Sequence, residues 1–174
     1  SEFDSIITPV KAQLSKGSAS YIYRLLGDLC DPEYPRPDTI ATAAMRRGTA
    51  KESESRSYFE FYTGEDVVQV GGILSECGRF WSSPDGLIGE EGVLELKNPM
   101  PAAHIEWLIG GVLPPTFAPQ CHGHLVVGKR KFCDFFSYCP PLDPLLVRVT
   151  PDDYTAALRA ALEEFWKKFQ AALA

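Results

Sequence analysis

Ser82-Ser83-Pro84-Asp85-Gly86-Leu87-Ile88-Gly89-Glu90-Glu91-Gly92-Val93-Leu94-Glu95-Leu96-Lys97-Asn98-Pro99 is the stretch on which the fold turns. Pro84-Asp85-Gly86 makes a sharp turn, and Gly89 to Gly92 makes a hairpin loop that feeds a strand from Val93 to Lys97. Side chains of a strand alternate between faces, so Glu95 and Lys97 share one face while Leu94 and Leu96 take the other. The loop folds the chain back, and Asp85 can approach Glu95 across the hairpin. Two converging carboxylates form a hard-oxygen site suited to Mg²⁺ or Mn²⁺, and the Leu96 carbonyl can add a third oxygen.

This set has the parts that phosphodiester hydrolysis needs. The metal polarises the phosphate and lowers the pKa of water. Lys97 can orient or deprotonate that water and offset developing negative charge. Alone, a Glu-x-Lys triplet is a weak signal, because an exposed Glu–Lys pair on a strand contributes little. The Pro-Asp-Gly turn, the hairpin and the apolar residues on the opposite face give it weight. A further carboxylate would complete the site, and Glu52, Glu54 and Glu60 on one long helix compete for that place.

Outward from the hairpin, Ser18 onwards reads as a helix with Tyr21, Leu25, Leu26 and Leu29 on one face. Asp38 is a good N-cap for a longer helix running towards Tyr62 and stopped by Gly64. Val67 to Leu74 reads as a strand kinked at Gly71-Gly72, and Arg79 to Ser83 as another. Helices are expected over 102–110 and 116–127, and strands over 132–138 and 145–149. Thr150 as cap and Pro151 as first helical residue open a C-terminal helix, with Tyr154, Leu158, Ala161, Leu162, Phe165, Phe169 and Leu173 in one apolar stripe. This order predicts an α/β (α+β) domain, a central mixed sheet flanked by helices.

The chain has 174 residues, enough for one domain with a buried core. The cysteines are Cys30, Cys77, Cys121, Cys133 and Cys139, odd in number and without a C-x-x-C pair. That disfavours zinc and disulfide frameworks and fits a reducing cytosol. No apolar run approaches the roughly 18 residues of a membrane span, and no secretory signal opens the chain. A net charge of −6 does not suggest a nucleic-acid binder. Two local basic groups, Arg46, Arg47 and Lys51, then Lys129, Arg130 and Lys131, leave room for a cationic groove.

With these motifs in place, the sequence resembles the phage lambda exonuclease type, the viral recombinase exonucleases of the PD-(D/E)xK superfamily. The family pattern S-P-D-G-L, a spacer, then L-E-(L/I)-K-x-P falls on Asp85, Glu95 and Lys97. Arg47-Gly48-Thr49-Ala50-Lys51-Glu52 followed by Phe59-Glu60-Phe61 is similar to the family's G-x-x-x-E helix, which selects Glu52 as the third acidic residue. Ser20 to Asp28 resembles its S-Y-x-x-x-L-L-x-E helix, and His104-Ile105-Glu106 a segment after the catalytic strand. Gln120 matches the start of its Q-x-Q element, and Asp134 to Tyr138 the strand that follows. The resemblance implies a restriction-endonuclease-like core, a single nuclease domain over residues 1–174, and a Mg²⁺-dependent 5′-to-3′ exonuclease on double-stranded DNA ends. It also implies a single-strand annealing partner, a trimeric ring, and a phage- or prophage-encoded protein in the bacterial cytoplasm.

The sequence departs from the family in three places. The second Gln of Q-x-Q is His122, with His124 nearby, and either could contact phosphate or sit near the metal. The family's Y-D-P-R is Tyr138-Cys139-Pro140-Pro141, without its Asp and Arg. The family's R-x-G-x-x-T-A-S element, whose Arg and Ser grip a 5′-phosphate, is represented by Ser1 alone, as though a short leading segment were lacking. Ser83 is a further expected phosphate contact, and Arg47 and Lys51 are expected on the DNA backbone. An endonuclease of the same superfamily, or a non-catalytic DNA-binding relative, is the competing reading.

Overall fold

The chain's architecture was obtained as a computed structural model that describes residues 3–33 and 43–174. The elements run α1 (Phe3–Ile6), α2 (Ser18–Cys30), α3 (Ala43–Thr63), β1 (Val67–Val68), β2 (Ile73–Leu74), β3 (Trp81–Ser82), β4 (Gly86–Ile88), β5 (Gly92–Lys97), α4 (Pro101–Gly110), α5 (Ala118–Gly128), β6 (Phe132–Ser137), β7 (Leu145–Val149) and α6 (Asp153–Leu173). The main sheet has the order β1-β4-β5-β6-β7. β5 and β6 are parallel and the other neighbours antiparallel, so the sheet is mixed as expected. β5, the strand carrying Glu95 and Lys97, is interior, which is why its residues from Gly92 to Leu96 are all buried.

Alternation along β5 divides the core. Leu94 and Leu96 join Phe59, Ile88, Phe136 and Tyr138 in an apolar cluster beneath α3. Val93 joins Cys121, Leu125, Cys133 and Phe135 on the opposite face, beneath α5. A third cluster packs α1, α2 and α6 against the outer side of α5, with Ile7, Leu158 and Leu162 at its centre. α5 is thus enclosed between sheet and helices, which accounts for its near-complete burial. No described helix is long and apolar enough to cross a membrane.

Several local expectations are corrected. Val67 to Leu74 is not one kinked strand. β1 joins the edge of the main sheet, while β2 pairs with β3 in a separate two-stranded sheet. Gly72 lies between them against the Trp81 ring, where a Cβ would stand 2.1 Å from a ring carbon. The segment expected to be one helix over 116–127 begins as a 3₁₀ turn, Pro115–Phe117, before α5. α6 is capped by Asp152 and not by Thr150. The Asp152 carboxylate accepts from the Thr155 amide at 3.0 Å, and the Thr155 hydroxyl accepts from the Asp152 amide at 3.0 Å. This reciprocal box satisfies two helix-end amides, which Thr150 followed by Pro151 could not match. Leu29 and Leu173, placed by periodicity on buried faces, are each 59% exposed. Asp38, the expected cap of α3, lies outside the described residues.

The core role of α6 is testable. Leu158→Ala is expected to cost about 2–5 kcal/mol in urea unfolding, the range for emptying a buried leucine site. Arg159→Ala, the exposed neighbour, should stay within about 0.5 kcal/mol of wild type. Equal effects of the two would contradict this packing.

Candidate active site

The β4–β5 hairpin sets the centre of the site. Gly86 pairs with Leu94, so Asp85, one residue earlier, stands opposite Glu95. The Asp85 amide donates to the Leu94 carbonyl at 2.9 Å. The Leu96 amide in turn donates to Asp85 Oδ2 at 2.6 Å. Asp85 is thereby bound to β5 by both its backbone and its side chain. Gly86 must be glycine-sized here, since a Cβ would meet Val67 Cγ1 at 2.2 Å.

Glu95 is only 1% exposed and holds a charge that burial alone would expel. Two neighbours prevent this. Oε1 accepts from Lys97 Nζ. Oε2 accepts from His124 Nε2 at 2.8 Å. Burial pushes the Glu95 carboxyl up, but the His124 hydrogen bond and the Lys97 charge more than offset it, and the net direction is down. Burial depresses Lys97, but the Glu95 and Asp85 charges override this and hold the ammonium protonated. Lys97 Nζ also donates to Gln120 Oε1 at 3.3 Å and lies 5.1 Å from the Phe117 ring centre. At Asp85 burial is offset only in part by the Leu96 amide bond and the Lys97 charge. Burial first, then the Glu95 charge, push its carboxyl up to about 7.

The three candidate third carboxylates separate cleanly. Glu60 Oε1 accepts from the Val67 amide at 3.1 Å and fastens β1 to α3. Glu54 accepts from the Tyr138 hydroxyl at 3.1 Å and pairs with Lys51 at 2.6 Å. Glu52 is the one whose charge acts on Asp85, raising its pKa further. Its Oε1 is held by Arg56 at 2.6 Å. α3 is registered on the end of β5 by Asn98, which donates to Ser55 Oγ at 3.3 Å.

Asp85, Glu95, Lys97 and Gln120 are therefore brought together, while Glu52 acts on Asp85 through its charge and is bonded to Arg56. Ser83 is exposed on the loop just before Asp85, between the buried Ser82 and Pro84. It lies on the rim of a cavity of about 680 Å³ walled by aromatic side chains of α2, β3 and α6 and reaching His124. His122 faces away from this cluster. Its ring is buried, 2.7 Å from the Thr155 hydroxyl and tilted against the Tyr154 ring, and braces the start of α6. His104 is a second internal brace. Its Nε2 donates to the Asp143 carbonyl at 2.9 Å, and its Nδ1 accepts from the Ser137 hydroxyl at 2.7 Å. Lys129 pairs with Glu76 and Lys131 with Glu91, while Arg130 donates to the Gly89 and Glu90 carbonyls. That basic group is matched locally and does not form a free cationic groove. Ser1 and the Arg47 side chain lie outside what the structure describes.

Sequence reasoning offered His124 only beside His122 and did not tie it to Glu95. The available signal was spacing, since Gln120 and His124 are four apart on α5 and must share a face. The same spacing links Glu52 to Arg56.

The donor set fits a hard divalent cation. Among the described residues no three His, Cys, Asp or Glu side chains are gathered as a metal-holding group. Mg²⁺ needs only one or two carboxylates, with waters and substrate phosphate completing its shell. Asp85 and Glu95 would supply two, with the Leu96 carbonyl as the expected third oxygen.

Comparison with known proteins adds to this geometry. The sequence profile of the YqaJ-like viral recombinase domain matches residues 1–131, a span that contains every residue of the cluster. No significant match was found among curated proteins. Among solved structures, an alkaline exonuclease from Laribacter hongkongensis, LHK-Exo, is 27% identical, with a TM-score of 0.76 over 98% of this chain and 88% of that one. The same LHK-Exo in complex with dAMP gives 27% identity and a TM-score of 0.73 over 97% and 91% of the two chains. A phage-related exonuclease from Haemophilus somnus 129PT shares the fold at 8% identity, with a TM-score of 0.68 over 99% and 94%.

The raised Asp85 pKa makes stability of the metal-free protein depend on pH. Its folded value, about 7, lies above the ordinary carboxyl value of 3.8, so the folded state holds the proton more tightly. That contribution is complete below 3.8 and is lost as pH rises through about 7. In EDTA, the Tm of Asp85→Asn relative to wild type should therefore rise between pH 5 and pH 8. A difference that is flat or falling over that window would contradict the burial of Asp85 beside Glu95.

Proposed function

The chain belongs to the YqaJ-like viral recombinase family, and from that premise we propose that it is a metal-dependent exonuclease that degrades one strand of linear double-stranded DNA from its 5′ end. The observation that carries this reading is the hairpin register that sets Asp85 opposite Glu95, with the Lys97 ammonium bound to Glu95. The similarity to LHK-Exo, an alkaline exonuclease, supports it.

In this reading Asp85, Glu95 and the Leu96 carbonyl hold Mg²⁺, with Glu52 as the third acidic group, and Mn²⁺ can substitute. The bound cation supplies charge stabilisation of the phosphate and activation of water. The protein's own groups do the rest. Lys97 Nζ, protonated and held by Glu95 and Gln120, places a positive charge where negative charge develops on the phosphate. Gln120, positioned by the first turns of α5, fixes the lysine and offers a polar contact beside it. The exposed Ser83 and the half-buried Lys51 contact the DNA backbone, together with Arg47. His122, which the structure places against α6, is left out of this set.

The same reading assigns the role of the DNA-resecting partner of a single-strand annealing protein, working as a trimeric ring around its substrate. Its tests are direct. With Mg²⁺, end-labelled linear duplex should be degraded from the 5′ end, with a 5′-phosphate preferred to a 5′-hydroxyl, while covalently closed circles stay intact. Cleavage of the circle would favour an endonuclease instead. Lys97→Ala should slow hydrolysis about 10²–10³-fold, the usual worth of one preorganised charge-stabilising donor, while leaving DNA affinity in EDTA nearly unchanged. Unaltered cleavage by Lys97→Ala would remove the site from the reaction.

A further inference from the structure

The Glu95 carboxylate is gripped at both oxygens, but the two grips differ in kind. Lys97 is 24% exposed and reaches Oε1 from a long stem, with a second, longer bond to Gln120. His124 is buried on α5 with 1% exposure, and its ring is fixed at both nitrogens. Nε2 lies 2.8 Å from Glu95 Oε2, an atom that can only accept from it, so Nε2 carries the proton. On its other side Nδ1 lies within hydrogen-bond reach of the Ser82 hydroxyl, buried on β3. The His124 ring is thus held in place by a serine three residues before Asp85.

From this we infer that His124 is a positioning residue for the candidate metal centre: locked by Ser82, it fixes Glu95 Oε2 and so leaves Oε1 as the oxygen offered to a divalent cation. The inference rests on the reading of Asp85 and Glu95 as metal ligands. Its physical basis is the cost of rotation. Turning the carboxylate to use Oε2 would strand a buried N–H and a buried oxygen, whereas freeing Oε1 requires only that Lys97 swing aside. Hydrogen-bond partners behind metal ligands fix ligand orientation in this way. Ser82 and His124 join three parts of the chain at this point, namely the small β2–β3 sheet, α5 and the central strand.

The test is Mn²⁺ binding by the full chain without DNA, followed by electron paramagnetic resonance or calorimetry, with DNA affinity in EDTA measured alongside. His124→Leu, which fills the space without a donor, is expected to weaken Mn²⁺ binding about 10–100-fold with DNA affinity unchanged. His124→Gln, whose amide nitrogen can donate to Oε2, should recover most of that loss. Ser82→Ala should weaken binding in the same direction but less. If His124→Leu does not fold, His124→Asn replaces it, since its amide is too short to reach Oε2 and should fall well below His124→Gln. Wild-type Mn²⁺ affinity in His124→Leu, or equal affinity in the Asn and Gln variants, overturns the inference while the metal site stands, provided Glu95→Gln abolishes binding. If Glu95→Gln binds Mn²⁺ as wild type does, the reading of the site fails and this inference fails with it.

Discussion

A carboxylate at the middle of a β-sheet has to be matched by positive charge or hydrogen-bond donors, and Glu95 imposes that condition on the rest of the protein. Its neighbours across the sheet, Asp85 and Phe135, carry no positive charge, so its partners come from the same strand and from the layer above. Lys97 meets the first condition by strand alternation. His124 meets the second, and this requires α5 to lie across β5 with its Gln120–His124 face down. α5 can occupy that position only because α1, α2 and α6 cover its outer side. The helical layer is therefore arranged around one buried negative charge as well as around apolar side chains.

Much of this was legible in the sequence because it is local. The hairpin, the shared face of Glu95 and Lys97, and the stripe on α6 depend on periods of two or 3.6 residues and on nearby glycines and prolines. The division of Val67 to Leu74 between two sheets was not legible, because Ile73 and Leu74 pair with Trp81 and Ser82, a choice made by packing around Gly72. The capping error at α6 was of a different kind. Thr150-Pro151 and Asp152-Asp153 both carry start signals, and the side chain of Thr155 decided between them.

The site divides along the same line. Asp85, Glu95 and Lys97 follow from the hairpin itself. The choice among Glu52, Glu54 and Glu60 follows from how α3 is rotated over the sheet, which periodicity within α3 does not encode and only the family-like Gly48 to Glu52 pattern singles out. Phe59 against Phe136 and Ser55 against Asn98 fix that rotation. His122 and His124 look equivalent as sequence, two positions apart in a polar stretch. On a helix two residues apart point about 200° apart, so one ring meets Glu95 and the other meets α6.

The acidic groups of the site are rooted in different cores. Asp85 and Glu95 belong to the β4–β5 hairpin, whereas Glu52 belongs to α3, which rests on the opposite face of the sheet through the Phe59 cluster and the Asn98 bond. Proteins open in cooperative pieces of unequal stability. An excursion that lifts α3 takes Glu52 with it and leaves the hairpin carboxylates paired. On the proposed reading, the completeness of the acidic set would follow the docking equilibrium of one helix, so substitutions in the Phe59 cluster would act on the site as an occupancy term at a distance, without altering a single residue within it.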